Sequence, residues 1–439
     1  MNHAYPRQLA AFVQERWAEM VAADSGSAPP LRMCVLPELH TLETLLSTAY
    51  QATLLREEER AVTFRLIVGD RGSFPDESGP PEGLHRLAFS HPRPFTEHEL
   101  RRLSPAAKYH RSLIGIERAN GGDLAIWGLL QSGPRWLDNV RGGRRFLPTL
   151  PSTRLVVRAT GPGRIAVASG ATTLGEIRGG KITAPAMDAF ESQWLPEMFR
   201  GEREALVAEH DAARQNAADE WGDLDPDVAR MLPQQMVKRV ISTVRSAHHG
   251  GTLVILPHGR ADEITSSLVR LKYAFDPGEP RRRFRTLMLA VMRRLAESAA
   301  PGSSMAVGWS VYGSSHDPAL AELNEAVFEL SHLFAALADV DGAVVMTKRF
   351  EVIGFGGEIA GDLPDVRTVL RAVDLEGTER EEEAVEGVGT RHRSAYRLCS
   401  RVHDALAVVV SHDGTVRFVK WHDGAVTYWD HVSAGSPEG

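Results

Sequence analysis

The sequence predicts an α/β protein: a C-terminal mixed central sheet covered by helices, preceded by a smaller α+β, β-rich domain and a helical connector. Three observations predict it. Beyond residue 250, strand-length apolar runs alternate with amphipathic stretches. Between 112 and 183, short runs are separated by glycine pairs. Between 187 and 247, two charged stretches carry apolar residues at helical spacing. The expected boundaries are 1–187 for the first domain, 188–230 for the connector and 231–439 for the second domain, which suits a chain of 439 residues.

Taken in order, residues 8–22 read as a helix and Ser25 to Pro30 as a break. A strand (Leu31–Leu36), a helix (about 41–60) and a strand (Val62–Val68) follow, then a Gly/Pro/Ser/acidic loop from Asp70 to Gly83. Thr96 with Glu99 has T-x-x-E capping-box spacing and opens a short helix through Arg102. The β-rich part consists of Leu113–Ile116, Leu124–Leu130, Arg154–Arg158, Arg164–Ala168 and Thr173–Ile177, with glycine pairs at 121–122, 142–143 and 179–180 as turn chemistry. Met187 to about Ala217 and Pro226 to Ala247 are helical, the second expected to break or kink at Pro233.

Further on, Thr252–Leu256 is a strand, and helices are expected over about 261–275 and 281–298. A Gly/Ser-rich segment at 302–316 precedes an apolar helix from Pro318 to Ala338. Strands at Ala343–Thr347 and Glu351–Phe355, a helix from Ser394 to Val402, and strands at Leu406–Val410, Val416–Lys420 and Ala425–Trp429 complete the chain.

Composition excludes several classes. A net charge of −7 gives no reason to expect nucleic acid or an anionic membrane as partner. Two cysteines, Cys34 and Cys399, cannot build a disulfide framework or a zinc ribbon. Apolar runs such as Ala405 to Val410 are far short of a membrane helix, and Arg7, Glu15, Arg16 and Glu19 interrupt any signal-peptide core. A cytoplasmic protein is the expectation.

Some motifs dissolve on inspection. Gly175 to Lys181 has the first seven positions of a P-loop, but Ile182 stands where the magnesium-holding hydroxyl belongs, so a glycine hairpin turn is the better reading. His248, His249 and His258 lack a carboxylate at ligand spacing. Arg281, Arg282, Arg283 and Arg285 read as a solvated helix start, with a phosphate or partner contact as the alternative. The acidic run from Glu379 to Glu386 reads as a solvated loop.

Two stretches differ in kind. Asp341-Gly342-Ala343 follows an apolar helix and opens a buried strand, an arrangement in which a carboxylate can hold a divalent cation or polarise a hydroxyl and glycine lets backbone approach closely. Gly389-Thr390-Arg391-His392-Arg393-Ser394 lies at a loop-to-helix junction. There Thr390 can cap the helix, and the helix N-terminus, a hydroxyl and guanidinium forks make an anion site.

Together these stretches resemble the paired D-G-A and G-T-R-H-R signatures of the diadenylate cyclase (DAC) domain. Gly250 to Ile255 resembles that domain's opening strand. Asp404-Ala405-Leu406 with Val408 to Ser411 resembles its strand after the R-H-R helix, and Asp413-Gly414 its hairpin turn. The resemblance spans roughly 232 to 430. Leu36 to His40 and Ile126-Trp127-Gly128 are similar to the DACNV-type sensor region found ahead of some DAC domains.

The resemblance implies a DAC-type fold and condensation of two ATP into cyclic di-AMP with release of two pyrophosphates, between two protomers that self-associate face to face. It implies a divalent metal, Mg²⁺ or Mn²⁺, held by Asp341. Asp341, Arg391 and His392 would be catalytic. Gly342, Ala343 and Ile359 would contact the nucleotide, Gly389, Thr390, Arg391, His392, Arg393 and Ser394 would cradle phosphates, and Ser411 would lie at the floor.

There are departures from the family pattern. Val340 stands where some members have His, and His412 where some have Glu, both metal ligands in the membrane-anchored branch; the DNA-scanning branch also lacks that Glu. A long insertion covers about 259–316, and a long acidic loop 360–387. A catalytically silent DAC-like nucleotide-binding module is the alternative. A scaffold without nucleotide leaves the G-T-R-H-R segment unexplained. The ligand of the sensor region is not legible.

Overall fold

The computed structural model describes residues 3–24, 36–74, 85–109, 111–119, 122–131, 142–143, 154–169, 172–183, 187–218, 220–246, 250–299, 306–412 and 414–431. Of the expected features, the break from Ser25 to Pro30, Leu31–Leu36 (but for its last residue), Cys34, the 75–83 part of the loop, Gly121, Ala247, His248, His249, residues 302–305 and Asp413 lie outside these. The chain forms two compact units, the first within residues 1–186, the second comprising 187–432 with a short segment at 141–145.

The first unit has helices α1 (Pro6–Asp24), α2 (Leu39–Thr53) and α3 (Glu97–Leu103). Its strands are β1 (Phe64–Val68), β2 (His85–Pro94), β3 (Ser112–Arg118), β4 (Leu124–Gln131), β5 (Leu155–Gly161), β6 (Arg164–Ser169), β7 (Thr172–Arg178) and β8 (Lys181–Thr183). They form one sheet in the order β8-β7-β6-β5-β1-β3-β4-β2. Leu42, Leu45, Leu46, Ala49 and Ala52 recur at helical spacing on α2 and are buried with Leu9 and Val13 of α1 against Leu66, Leu155 and Val157. As expected, Thr96 caps α3, its hydroxyl accepting from Glu99 N–H at 3.3 Å; the Glu99 carboxylate meets Arg93 at 3.0 Å. Gly179 and Gly180, both at positive φ, turn β7 into β8, which settles the P-loop-like segment as a hairpin.

Two expectations fail in this unit. The helix expected to reach residue 60 ends at Thr53, and Glu58 and Glu59 at positive φ reverse the chain between Arg56–Glu57 and Arg60–Ala61. Strand β2 was not expected. It carries Pro92 and Pro94 and an exposed pattern, tolerable because β2 is an edge strand that, among the described residues, pairs only with β4.

The second unit opens with α4 (Trp194–Met198), α5 (Arg200–Gln215) and α6 (Asp227–Ser246). There follow β9 (Gly251–Leu256), α7 (Ala261–Ser267), β10 (Val269–Ala274), α8 (Glu279–Glu297), α9 (Trp309–Ser314), α10 (Pro318–Leu337), β11 (Ala343–Thr347) and β12 (Val352–Ile359). The last elements are β13 (Thr368–Ala372), β14 (Arg380–Ala384), α11 (Thr390–Arg401), β15 (Leu406–Val410), β16 (Val416–His422) and β17 (Ala425–His431). The nine strands run β10-β12-β11-β9-β15-β16-β17-β13-β14. This is the mixed, helix-covered sheet expected: β9 pairs parallel with β11 and antiparallel with β15.

Strand alternation divides the core. Leu253, Ile255, Val344 and Met346 share one face with Val240, Met288, Val291 and Phe334 of the long helices. Val254, Leu256, Ala343 and Val345 share the other with Ile264 of α7 and Leu398 of α11.

Several expectations are corrected here. Residues 188–230 do not form a connector: Phe190, Trp194, Leu195 and Leu206 are buried in this unit's own core. Pro233 does not break α6, which runs through it to Ser246. Residues 269–274, expected in a helix, are strand β10 because their backbone pairs with β12. The 360–387 loop contains β13 and β14, and two glutamates of β14 are held from β13: Arg371 meets Glu381 at 2.5 Å and Glu383 at 3.2 Å. The basic knot is a helix start tied by carboxylates, with Arg283 on Glu279 and Arg285 on Glu209. No helix among the described residues is long and apolar enough to cross a membrane.

One buried group makes this unit pH-sensitive. His431 is 2 % exposed, its Nδ1 accepts from Ala189 N–H at 3.2 Å, and burial pushes its pKa down to about 4. Its ordinary value is 6.5, so the unfolded chain binds the proton first on acidification. Stability is therefore full above about pH 6.5 and falls towards pH 4, by up to roughly 3 kcal/mol from this group. Denaturant midpoints measured across that range should fall more steeply for the wild type than for His431→Gln.

Candidate active site

The start of β11, the end of β12, the end of β15 and the start of α11 converge on one cleft of about 690 Å³. Asp341 sits between α10 and β11, exposed, and its carboxylate makes no hydrogen bond or ion pair among the described residues. Gly342 follows at φ +120°, where a Cβ would lie 2.5 Å from the carbonyl carbon of Gly356 and 2.8 Å from Gly357 N. The structure shows a use of this glycine other than the expected ligand contact: it packs against the neighbouring strand's backbone, next to Asp341 at the cleft.

The second stretch starts its helix earlier than expected. Gly389 is the N-cap and its carbonyl accepts from His392 and Arg393 N–H at 3.1 and 3.2 Å. Thr390 is therefore the first helical residue and does not cap; the expectation from its hydroxyl is corrected by one position. Extending the helix back from Ser394 puts Thr390 and Ser394 one turn apart on the cleft side. Arg393, exposed, does not line the cleft.

Ser411 follows β15 directly, held by its N–H donating to Thr415 O at 2.8 Å, and its Oγ lies 3.4 Å from His392 Nε2. Ten of the eleven residues singled out from sequence line this one cleft: Asp341, Gly342, Ala343, Ile359, Gly389, Thr390, Arg391, His392, Ser394 and Ser411.

Sequence reasoning missed Thr252, Gly357, Glu358 and Val409, and noted His412 only as a departure; all line the same cleft. Glu358 is clamped by Arg270 at 2.5 Å and Lys272 at 3.2 Å, both from the unexpected strand β10, and these cations hold its carboxyl below the usual range. Thus the cleft contains two carboxylates of different status, one already neutralised and one available. A lone threonine in an otherwise apolar strand was the available signal for Thr252.

For a divalent cation the donor set is sparse. Among the described residues no group of three or more His, Cys, Asp or Glu side chains is placed to hold one. A single carboxylate does not make a zinc site, but it suits Mg²⁺ or Mn²⁺, which keep water and take further oxygens from substrate phosphates. The cleft combines that carboxylate with Arg391, His392, four hydroxyl-bearing residues and a helix N-terminus, groups that suit a phosphorylated ligand.

Residues 32–131 match the family model described as "Probable sensor domain DACNV", under a quarter of the chain and wholly within the first unit. The similarity to a sensor-type domain is thus confined to the N-terminal part. No curated protein matches the chain.

The two glycines of the site should respond differently to alanine. Gly342→Ala meets backbone and an unfavourable φ, and should lose more than about 2 kcal/mol in denaturant unfolding. Gly389→Ala, at φ −60° with nothing within 4 Å of its Cβ, should stay within about 0.5 kcal/mol of wild type.

Proposed function

We propose that the second unit is a diadenylate cyclase, joining two ATP into cyclic di-AMP, under control of the N-terminal sensor domain. The observation that carries this reading is the gathering of Asp341 and of Thr390, Arg391, His392 and Ser394 from distant stretches into one cleft. The match to a sensor family of the type that the resemblance sets ahead of DAC domains supports it.

The chemistry asks little covalent work of the protein. A ribose 3′-oxygen forms a bond to the α-phosphorus of the second ATP, the bond to the β-phosphate oxygen breaks, pyrophosphate leaves, and the step repeats to close the ring. Asp341 faces the hydroxyl and draws its proton. Arg391, with the N-terminus of α11, takes the charge growing on the phosphates. His392, oriented by Ser411, donates a hydrogen bond to a phosphate oxygen. A bound Mg²⁺ or Mn²⁺ on Asp341 would supply Lewis acidity towards the hydroxyl and phosphate. Each cleft has one such set, so attack between two ATP calls for two chains meeting cleft to cleft.

A silent nucleotide-binding module is the second reading, favoured by the absence of a three-ligand cluster among the described residues. Product analysis separates the two. Purified protein incubated with ATP and Mg²⁺ or Mn²⁺, across a range of protein concentrations, should yield cyclic di-AMP by mass spectrometry. Asp341→Asn should lose at least about a hundredfold in rate with unchanged folding. Arg391→Ala should also weaken nucleotide binding by about tenfold. Nucleotide binding without product at any concentration would select the silent module.

A further inference from the structure

We infer that Thr252 is a nucleotide contact, its hydroxyl hydrogen-bonding a polar atom of the nucleotide from the floor of the cleft. The inference rests on the nucleotide reading above and adds a residue outside the D-G-A and G-T-R-H-R signatures.

Thr252 lies in β9 opposite Ala343 of β11 and Val409 of β15. By alternation it shares its face with Val254 and Leu256, the face on which α11 packs. It is 4 % exposed and lines the cleft, while its Oγ1 is buried and, among the described residues, has no hydrogen-bond partner; a turn about Cα–Cβ would bring the hydroxyl to the cleft. Its flanking partners explain why: a methyl on one side and an isopropyl on the other offer neither donor nor acceptor.

A hydroxyl in that setting is unfavourable for the fold alone. Valine has nearly the same shape, suits a strand better and carries no group to desolvate. The position also lies between the strand that Asp341 opens and the strand that Ser411 closes, so an occupant of the cleft spans it. Bound nucleotide would provide the missing partner.

Thr427 supplies the control. It too is a buried strand threonine whose hydroxyl has no partner among the described residues, but it does not line the cleft. The test is calorimetric titration of the full chain with a non-hydrolysable ATP analogue and Mg²⁺, for wild type, Thr252→Val, Thr252→Ser and Thr427→Val. Thr252→Val should bind about five- to tenfold more weakly while melting at or above the wild-type temperature. Thr252→Ser and Thr427→Val should bind within about twofold of wild type.

Binding by Thr252→Val within twofold of wild type would overturn the inference, leaving the nucleotide reading intact. A loss in Thr252→Ser equal to that in Thr252→Val would also overturn it, because shape and not the hydroxyl would then matter. A wild type that binds no analogue would overturn the nucleotide reading itself, and this inference with it.

Discussion

The second unit depends on the position of one strand. β9 is buried on both faces, parallel to β11 and antiparallel to β15, so the starts of two strands and the end of a third lie at one margin of the sheet. A fully buried strand offers polar chemistry only where it ends, and this margin is where three ends coincide. Parallel pairing also demands a crossover, because two parallel neighbours cannot be joined by a hairpin. The whole run from α7 to α10 is that crossover. What looks like an insertion in the sequence is an elaboration of a connection the topology already needed.

That elaboration reaches the cleft. Strand β10 adds to β12 and brings Arg270 and Lys272 to Glu358, a cleft residue. One carboxylate of the site is thereby committed internally, and Asp341 is left as the one that can meet an incoming cation or hydroxyl. Close backbone packing serves the same end. The glycines at 342, 356 and 357 let two chain segments pass where any side chain would separate them.

Much of this was legible in the sequence, for physical reasons that can be named. Val408 and its neighbours and Val344 with Val345 are β-branched runs that belong in buried strands, and Thr96 with Glu99 has only one good local use. The site residues were legible because their types and order form a pattern with a chemical purpose. Other parts were not legible because their stability is wholly non-local. Glu381 and Glu383 have poor strand propensity and become strand only through Arg371 on the facing strand. Residues 269–274 are held by the backbone of β12, and Pro92 and Pro94 are acceptable only at a margin. Thr252 and Glu358 entered the site through register, which no local pattern encodes.

The two margins of the nine-stranded sheet carry opposite charge: Arg270 and Lys272 on β10, Glu381 and Glu382 on β14. Left bare, such margins are complementary, and copies of the sheet could add one to the next without closure, in the manner of a growing fibre. Glu358 neutralises the positive margin from within, and Arg371 does the same for Glu381 at the other, where Glu382 remains exposed.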